Sequence, residues 1–177
     1  TVDHQNCVIF GSCTTDYGTD IENALTSVNN IMPNPGLGSN QTGDTPQEVV
    51  FLVTDGVDDK IISLSSSCNA NATLQSVGSN FRCQQPVDPT VCTTIKNRGI
   101  RIAILYTEYL QLPTDSWYTS HIAQFNNPSS STGQIAQNLQ SCASPGLFSD
   151  VQTGGDISAA LTALFIKVAS STASLTQ

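Results

Sequence analysis

The sequence predicts an α/β protein with an open, mostly parallel β-sheet and helices on both faces. Five consecutive apolar residues, Val49 to Val53, run into Thr54-Asp55-Gly56, as expected for a buried parallel strand that ends in a turn. A second apolar run covers residues 100–106 after Gly99. Segments with helical periodicity alternate with these strands, which is typical of βαβ units and a parallel sheet.

The first helix is predicted from Ile21 to Ile31, where apolar residues recur with the helical period. Thr19 and Glu22 have the S/T-x-x-E spacing of a capping box, so Thr19 is its expected N-cap. The other predicted elements are, in chain order, a brief strand at Val8-Ile9-Phe10, a polar loop over 33–47, a helix near 90–98, a helix through Trp117, His121, Ile122 and Phe125, a helix through Ile135, Leu139 and Cys142, a strand over 147–151, and a terminal helix from Ile157 to Val168.

Residues 57–90 are the least regular part of the chain, and we expect an insertion there. It contains two of the six cysteines, two prolines and many Ser and Asn residues. Loops of this length are usually functional or held by a cross-link. The prediction is one domain over residues 1–177, with a disulfide-clamped insertion at about 57–90.

The six cysteines favour disulfides in an oxidising compartment. None is in a C-x-x-C pair, and the two histidines lie far from them in sequence, so zinc-site spacing is absent. Their even number and the low charge of the chain are typical of exported proteins. The sequence leaves all 15 possible pairings open.

Composition excludes two classes of partner. The chain has a net charge of −8, only 11% charged residues and a pI near 4.3. No basic stripe exists for nucleic acid, and an anionic bilayer would repel this surface. The longest apolar run, five residues, cannot span a membrane. Since an exported domain needs a signal peptide and none is visible, we expect a processed product or part of a longer protein.

Enzyme motifs are missing from the sequence. It contains no G-x-S-x-G elbow, P-loop, G-x-G-x-x-G or H-E-x-x-H. We therefore expect no catalytic activity. The alternative is a metal-dependent hydrolase or phosphatase centred on Asp55, with Asp58 nearby, because a carboxylate after a buried strand suits cation or proton chemistry.

Three segments resemble the later part of a von Willebrand factor A domain. They are G-T-D-I-E-N-A-L at residues 18–25, V-V-F-L-V-T-D-G at 49–56, and the strand at 99–106. The run from Cys92 to Thr107, with Leu112-Pro113, Trp117-Tyr118 and C-A-S-P-G at 142–146, is similar to the C-terminal part of TadG-type proteins. Those proteins belong to the tight-adherence, or Flp-type, pilus-assembly systems of bacteria. The resemblance covers nearly all of the chain from about residue 18.

The resemblance implies a Rossmann-like fold and a place for a divalent cation. In the A-domain family the metal is held by a D-x-S-x-S motif, a Thr before a helix and an Asp after a later strand. Thr19 and Asp55 match the last two, and their oxygens suit Mg²⁺ or Ca²⁺. The chain has no D-x-S-x-S, so either the first strand lies upstream in a longer protein or this domain never had it. The first alternative predicts an exposed sheet edge, and both predict an incomplete metal site.

Each candidate residue also has a structural interpretation. Thr19 fits an N-cap, and Asp55 fits an Asx-turn after the strand. Asp58 and Asp59 are expected to be solvated loop residues rather than to support a metal site. Trp117 and Tyr118 are expected to pack in the core rather than to form a recognition patch, and His121 is expected to be structural.

We expect a non-enzymatic protein–protein interaction or scaffold domain of a tight-adherence pilus-assembly system. The resemblance places it in the bacterial cell envelope, on the periplasmic or outer side, with an N-terminal membrane anchor that this chain lacks. Its partners would be pilus-assembly components or an adhesion target. The alternative within binding proteins is an adhesion module that binds Mg²⁺ through Thr19 and Asp55.

Overall fold

The computed structural model describes residues 19–39, 41–63, 68, 73–77, 80–126 and 133–173. The strands are β1 (Val49–Thr54), β2 (Val57–Ile62), β3 (Thr73–Val77), β4 (Asn80–Pro86), β5 (Arg101–Thr107) and β6 (Phe148–Val151). The helices are α1 (Ile21–Ile31), α2 (Pro89–Asn97), α3 (Ser116–His121), α4 (Gln134–Cys142) and α5 (Ile157–Ala173). The predicted strand at Val8-Ile9-Phe10 lies outside the described residues.

A three-stranded parallel sheet forms the centre of the fold, and it confirms the predicted α/β class. Its strand order is β1-β5-β6, with Val53 opposite Leu105 and Ile104 opposite Phe148. Alternate residues of β5 point to opposite faces, as in any strand. Ile102 and Ile104 pack with α1, α2 and α4, whereas Leu105 packs against α5.

Two disulfides join described cysteines, in agreement with the expected oxidising chemistry. Cys92 in α2 is bonded to Cys142 in α4, which ties together two helices that cover the same face of the sheet. Cys68 is bonded to Cys83 within the predicted insertion. Each bond removes loop entropy from the unfolded chain. Cys7 and Cys13 lie outside the described residues.

The prediction that residues 57–90 are irregular is wrong. Most of this segment forms an antiparallel sheet of order β2-β4-β3, which follows β1 after only two residues. The sequence did not predict β2 and β4, because both strands are polar and their charged side chains are buried as ion pairs. Asp59 of β2 lies opposite Gln84 of β4 and pairs with Arg82.

The prediction that β1 is fully buried is also wrong. Only Val50 is buried, whereas Phe51 is 37% exposed and Val53 is 51% exposed. Among the described residues β1 pairs with β5 alone, so it is an edge strand. Within the described residues, Phe51 and Val53 therefore face α5 without a further strand beside them.

The sheet covers only part of the apolar face of the terminal helix, α5. Leu164 and Val168 are buried against Ala103 and Leu105 of β5. Leu161 and Phe165, predicted on the same helical face, are 37% and 61% exposed. Phe165 lies over β1, with its ring centroid 6.0 Å from that of Phe51. We call the four residues Phe51, Val53, Leu161 and Phe165 the edge surface.

Candidate functional site

The predicted site lies at the carboxyl end of β1, where the chain turns into β2. The Gly56 N–H donates to the Thr54 hydroxyl oxygen at 2.9 Å, and the Val57 N–H donates to Asp55 Oδ1 at 3.3 Å. Asp55 therefore forms the Asx-type turn that its position suggested. This turn explains the presence of an aspartate at position 55 without invoking a bound ligand.

Gly56 is required at this turn for two reasons. Its φ is +81°, a conformation that L side chains rarely adopt. A Cβ there would also lie 2.6 Å from Ile135 Cγ2 and 2.7 Å from Leu139 Cδ1 of α4. The T-D-G motif is thus explained residue by residue as the turn that links β1 to β2 against α4.

The carboxyl of Asp55 remains accessible, but its surroundings disfavour its charge. Asp55 is exposed to solvent, but the protein atoms around its carboxyl group displace part of the water that would hydrate it. This desolvation raises the pKa of Asp55, and the charge of Asp59 adds to the rise. Burial, followed by the Asp55 charge, also raises the pKa of Tyr109 to about 12, so that phenol remains protonated at neutral pH.

Thr19 lies at the same end of the sheet, but it is not the helix cap. The N-cap of α1 is Asp20, whose side chain accepts from the Asn23 N–H at 2.9 Å. Aspartate caps as well as threonine, and the backbone places it one residue later than the T-x-x-E pattern indicated. The Thr19 carbonyl accepts from the Asp59 N–H at 3.1 Å, which fixes the start of α1 against β2.

Glu22 does not close a capping box either, because its carboxylate binds groups from β2 and the start of α2. It lies 2.5 Å from Lys60 Nζ and accepts from the Asp88 N–H at 3.0 Å. Asp58 is completely buried, and its Oδ1 accepts from the Glu22 N–H at 3.2 Å. Asp58 Oδ2 lies 3.0 Å from Lys60 Nζ, an ion-pair contact without hydrogen-bond alignment.

This triad of two carboxylates and one lysine shifts the pKa of Asp58 and that of Lys60. Burial and then the Glu22 charge raise the pKa of Asp58, against the opposing effect of Lys60. Burial lowers the pKa of Lys60, but its hydrogen bond to Glu22 and its ion-pair contacts with Glu22 and Asp58 together outweigh that and raise it. Lys60 is therefore a fixed cation that holds α1 against the antiparallel sheet.

A second buried network involves Asp59, which pairs with Arg82 across the antiparallel sheet. Arg82 Nε lies 2.8 Å from Asp59 Oδ1, and Arg82 Nη2 contacts Oδ2. The guanidinium lies 5.1 Å from the Trp117 ring centroid, and Trp117 Nε1 donates to Gln84 at 3.0 Å. Asp58 and Asp59 are thus buried, and the prediction that they are solvated loop residues is wrong.

The aromatic residues of α3 are mainly structural. Tyr118 is buried, as predicted, whereas Trp117 is half-buried beneath Arg82. The His121 ring lies 4.2 Å from the Trp117 ring between centroids, and its Nδ1 has no hydrogen-bond partner among the described residues. Burial and then Arg82 lower the pKa of His121, so the neutral imidazole is favoured.

The described residues fit a divalent cation only in part. Thr19 and Asp55 are both exposed at this end of the sheet and offer one hydroxyl and one carboxylate. Magnesium and calcium take six or more oxygen ligands, often including water. The neighbouring carboxylates of Asp58 and Asp59 are held by Lys60 and Arg82. No cluster of three His, Cys, Asp or Glu side chains arranged for a metal occurs in the described part of the chain.

The same contacts bear on the hydrolase alternative. In a hydrolase, a second carboxylate beside Asp55 would have to transfer a proton or bind a cation. Asp58 is the nearby candidate, but it is enclosed together with Lys60 and Glu22. Asp55 would then act without Asp58. Sequence reasoning missed both buried networks, because a 23-residue separation between Asp59 and Arg82 gives no local pattern.

Comparisons of the chain with protein-family models, with curated proteins and with solved structures found no match. Within the described residues, no helix has the length and apolar character needed to cross a membrane.

Proposed function

We propose that this chain is a non-enzymatic protein–protein interaction domain of the bacterial cell envelope, with a von Willebrand factor A-like fold. Its work would be to scaffold a tight-adherence, Flp-type pilus-assembly system, as the TadG-like segments suggest. The observation that carries the proposed interaction is the edge surface beside β1. The pilus system as its setting comes from the sequence resemblance alone.

The edge surface differs from ordinary protein surface in being continuous, apolar and uncharged. Its four residues and Thr162 line a shallow cavity of about 550 Å³. Exposed sheet edges are normally protected by short strands or by charged residues that discourage pairing. The β6 edge fits that rule, since it has four residues and carries the exposed Asp150. The six-residue β1, V-V-F-L-V-T, has no charged residue.

An extended strand from a partner protein suits this surface best. Its backbone would pair with the outer edge of β1, and apolar side chains on one face would cover Phe51 and Val53. Its other face would meet a groove between β1 and α1 that includes Ala24, Val28 and Leu52. Complete burial of one large apolar side chain contributes about 1.5–3 kcal/mol, which would add to the free energy of strand pairing.

The test is photo-crosslinking in the bacterium that encodes the protein. The photoreactive residue p-benzoylphenylalanine would replace Val53 in one variant and Phe165 in another. A third variant would carry it at Gln140, which is exposed on α4 over the opposite face of the sheet. We expect the first two variants to crosslink to the same pilus-assembly protein, and the Gln140 variant to give no such product.

Two results would count against the proposal. Crosslinking at Val53 and Phe165 that matches the Gln140 control would show that the edge surface binds nothing specific. A specific product with an envelope protein unrelated to pili would retain the interaction function and remove the pilus assignment.

The second candidate is the adhesion module that holds Mg²⁺ through Thr19 and Asp55. The favouring observation is that both residues are exposed at the same end of the sheet. Partner binding that is lost in EDTA, restored by Mg²⁺ and absent in Asp55→Ala would support this candidate. Binding that is insensitive to EDTA would exclude it and leave the edge surface as the site.

A further inference from the structure

A second cavity lies beside the amino ends of the parallel strands, at the opposite end of the sheet from Asp55. Its volume is about 880 Å³, within the range of known ligand sites, roughly 300–1,000 Å³. Its walls come from the loop after α1, the start of β5, the turn before β6 and the last turns of α5. It shares no residue with the edge surface.

This cavity collects positive charge in a chain that has little of it. Arg98, Arg101 and Lys167 line it, which is three of the six Lys and Arg residues of a chain with net charge −8. Asp44 is the one acidic residue among the described lining residues. Its carboxylate accepts from the Ser39 hydroxyl at 2.7 Å and from the Leu37 N–H at 2.9 Å, so it is occupied by its own loop.

The two arginines are held in place by the ends of helices. Arg98 donates to the carbonyls of Asn29 and Met32 at the end of α1, the latter at 2.8 Å. Arg101 donates to the Val168 carbonyl of α5 at 3.5 Å and to Gln47 at 3.3 Å. Helix carboxyl ends carry partial negative charge, and all the helices covering a parallel sheet point that end toward this side. The guanidinium groups are therefore fixed in the cavity wall before any ligand arrives.

Lys167 differs from the arginines, because no helix end engages its ammonium group. Lys167 is exposed on α5, and its ammonium group makes no hydrogen bond or ion pair with another described residue. The cavity wall also contains apolar residues, Pro35, Leu37, Pro145 and Leu147. Leu37 is 77% exposed and lines the same cavity as the three cations. A bare anion would make no use of this apolar part of the wall.

We propose that the cavity binds a peptide that presents a carboxylate next to an apolar side chain. The carboxylate lies between Lys167 and Arg101, and the apolar side chain packs on Leu37 and the neighbouring prolines. Arg101 contributes a positive charge held in a fixed position by Gln47 and Val168, while Lys167 contributes a mobile point charge. The carboxylate comes from an Asp or Glu side chain or from a peptide carboxyl terminus.

The test is isothermal titration calorimetry of the whole chain with four probes at about 0.05 M salt, where surface electrostatics are weakly screened. Acetyl-Leu-Asp-Asp-amide presents side-chain carboxylates, and acetyl-Leu-Ala-Ala with a free carboxyl terminus presents the terminal one. Acetyl-Leu-Asn-Asn-amide is the uncharged match, and inorganic phosphate is the bare anion. We expect at least one carboxylate peptide to bind, more tightly than the amide peptide and phosphate, with the stronger of the two identifying the carboxylate source.

Variants then assign the site. Lys167→Gln should raise the Kd of the binding peptide roughly three- to fivefold, as for loss of one exposed charge contact, and Lys167→Arg should restore it. The matched control is Lys96→Gln, which removes a cation that binds the Ser141 carbonyl at the end of α4, outside the cavity. Equal binding of the amide peptide, no binding of either carboxylate peptide, or an unchanged Kd in Lys167→Gln would overturn the proposal.

Discussion

Strands β1 and β5 are neighbours with similar sequences, yet they have different environments. β5, R-I-A-I-L-Y-T, is buried from Ile102 to Tyr106, with helices packed on both faces. β1, V-V-F-L-V-T, has a single buried residue, Val50. Val53 and Leu105 lie opposite each other in the ladder, and one is half exposed while the other is fully enclosed.

The comparison shows that an apolar run in the sequence predicts a strand but does not predict which helices will pack on it. The helices α2, α4 and α5 cover β5; α2 directly precedes β5 in the chain, whereas α4 and α5 come much later. On the β1 side, the described residues provide only α1 over one face and the margin of α5 over the other. The edge surface is the part of β1 and α5 that these elements leave exposed.

The largest effect is expected from removing the disulfide that holds the cover of β5. Cys92 and Cys142 close a loop of 50 residues, which the chain-entropy treatment values at about 4 kcal/mol. The Cys92→Ala/Cys142→Ala variant should lose unfolding free energy of that order in urea denaturation. A loss under about 1 kcal/mol would mean that α2 and α4 hold the β5 face without the cross-link.

The next prediction compares Leu105 and Val53, which lie opposite each other in the β1–β5 ladder. Leu105→Ala should cost about 2–5 kcal/mol, because it leaves a cavity in a closed core. Val53→Ala should cost less than about 1 kcal/mol, since half of the side chain is already in water. Urea denaturation of both variants checks this. Equal losses would show that β1 is enclosed in solution and that the edge surface does not exist.

A smaller effect is expected at the start of α1, the helix that covers the inner face of β1. Asp20→Ala should reduce the unfolding free energy by about 1 kcal/mol, because the Asn23 N–H loses its acceptor. Thr19→Ala is the matched control and should be close to neutral. The reverse order in thermal denaturation would restore Thr19 as the cap.

The smallest effect concerns Asp55, at the end of β1. Its pKa is raised in the folded state by desolvation and by Asp59, so folding favours the protonated form and wild-type stability falls as pH rises through that pKa. Asp55→Asn should therefore melt slightly higher than wild type at pH 7. The difference should vanish below the ordinary carboxyl pKa, about 3.9. A variant that melts lower at pH 7 would contradict this sign.

The sequence predicted the elements whose periodicity is local and strong. α2, α4, β5 and β6 lie within a residue or two of their expected limits, because apolar spacing alone defines them. It missed β2 and β4, since their charged residues are buried by partners that only the antiparallel register brings together. The position of Asp55 at the carboxyl end of β1 followed from the general rule for parallel sheets, and its Asx-turn was predicted from that position. Thr19 was selected by the family resemblance, and its predicted role as N-cap is wrong because Asp20 caps α1.

The most direct test of the central claim is lysine substitution on the edge surface. Lysine on an edge strand prevents strand pairing in natural sheets, and Val53 and Phe165 have room for it. The Val53→Lys/Phe165→Lys variant and the control Gln140→Lys would be compared for melting temperature and for pilus number. Each variant would also carry p-benzoylphenylalanine in place of Phe51, so that crosslinking from the edge surface can be compared. We predict that both variants keep the wild-type melting temperature and that only the double variant loses the crosslink and the pili. A folded double variant that retains both would contradict the claim that β1 presents a binding edge.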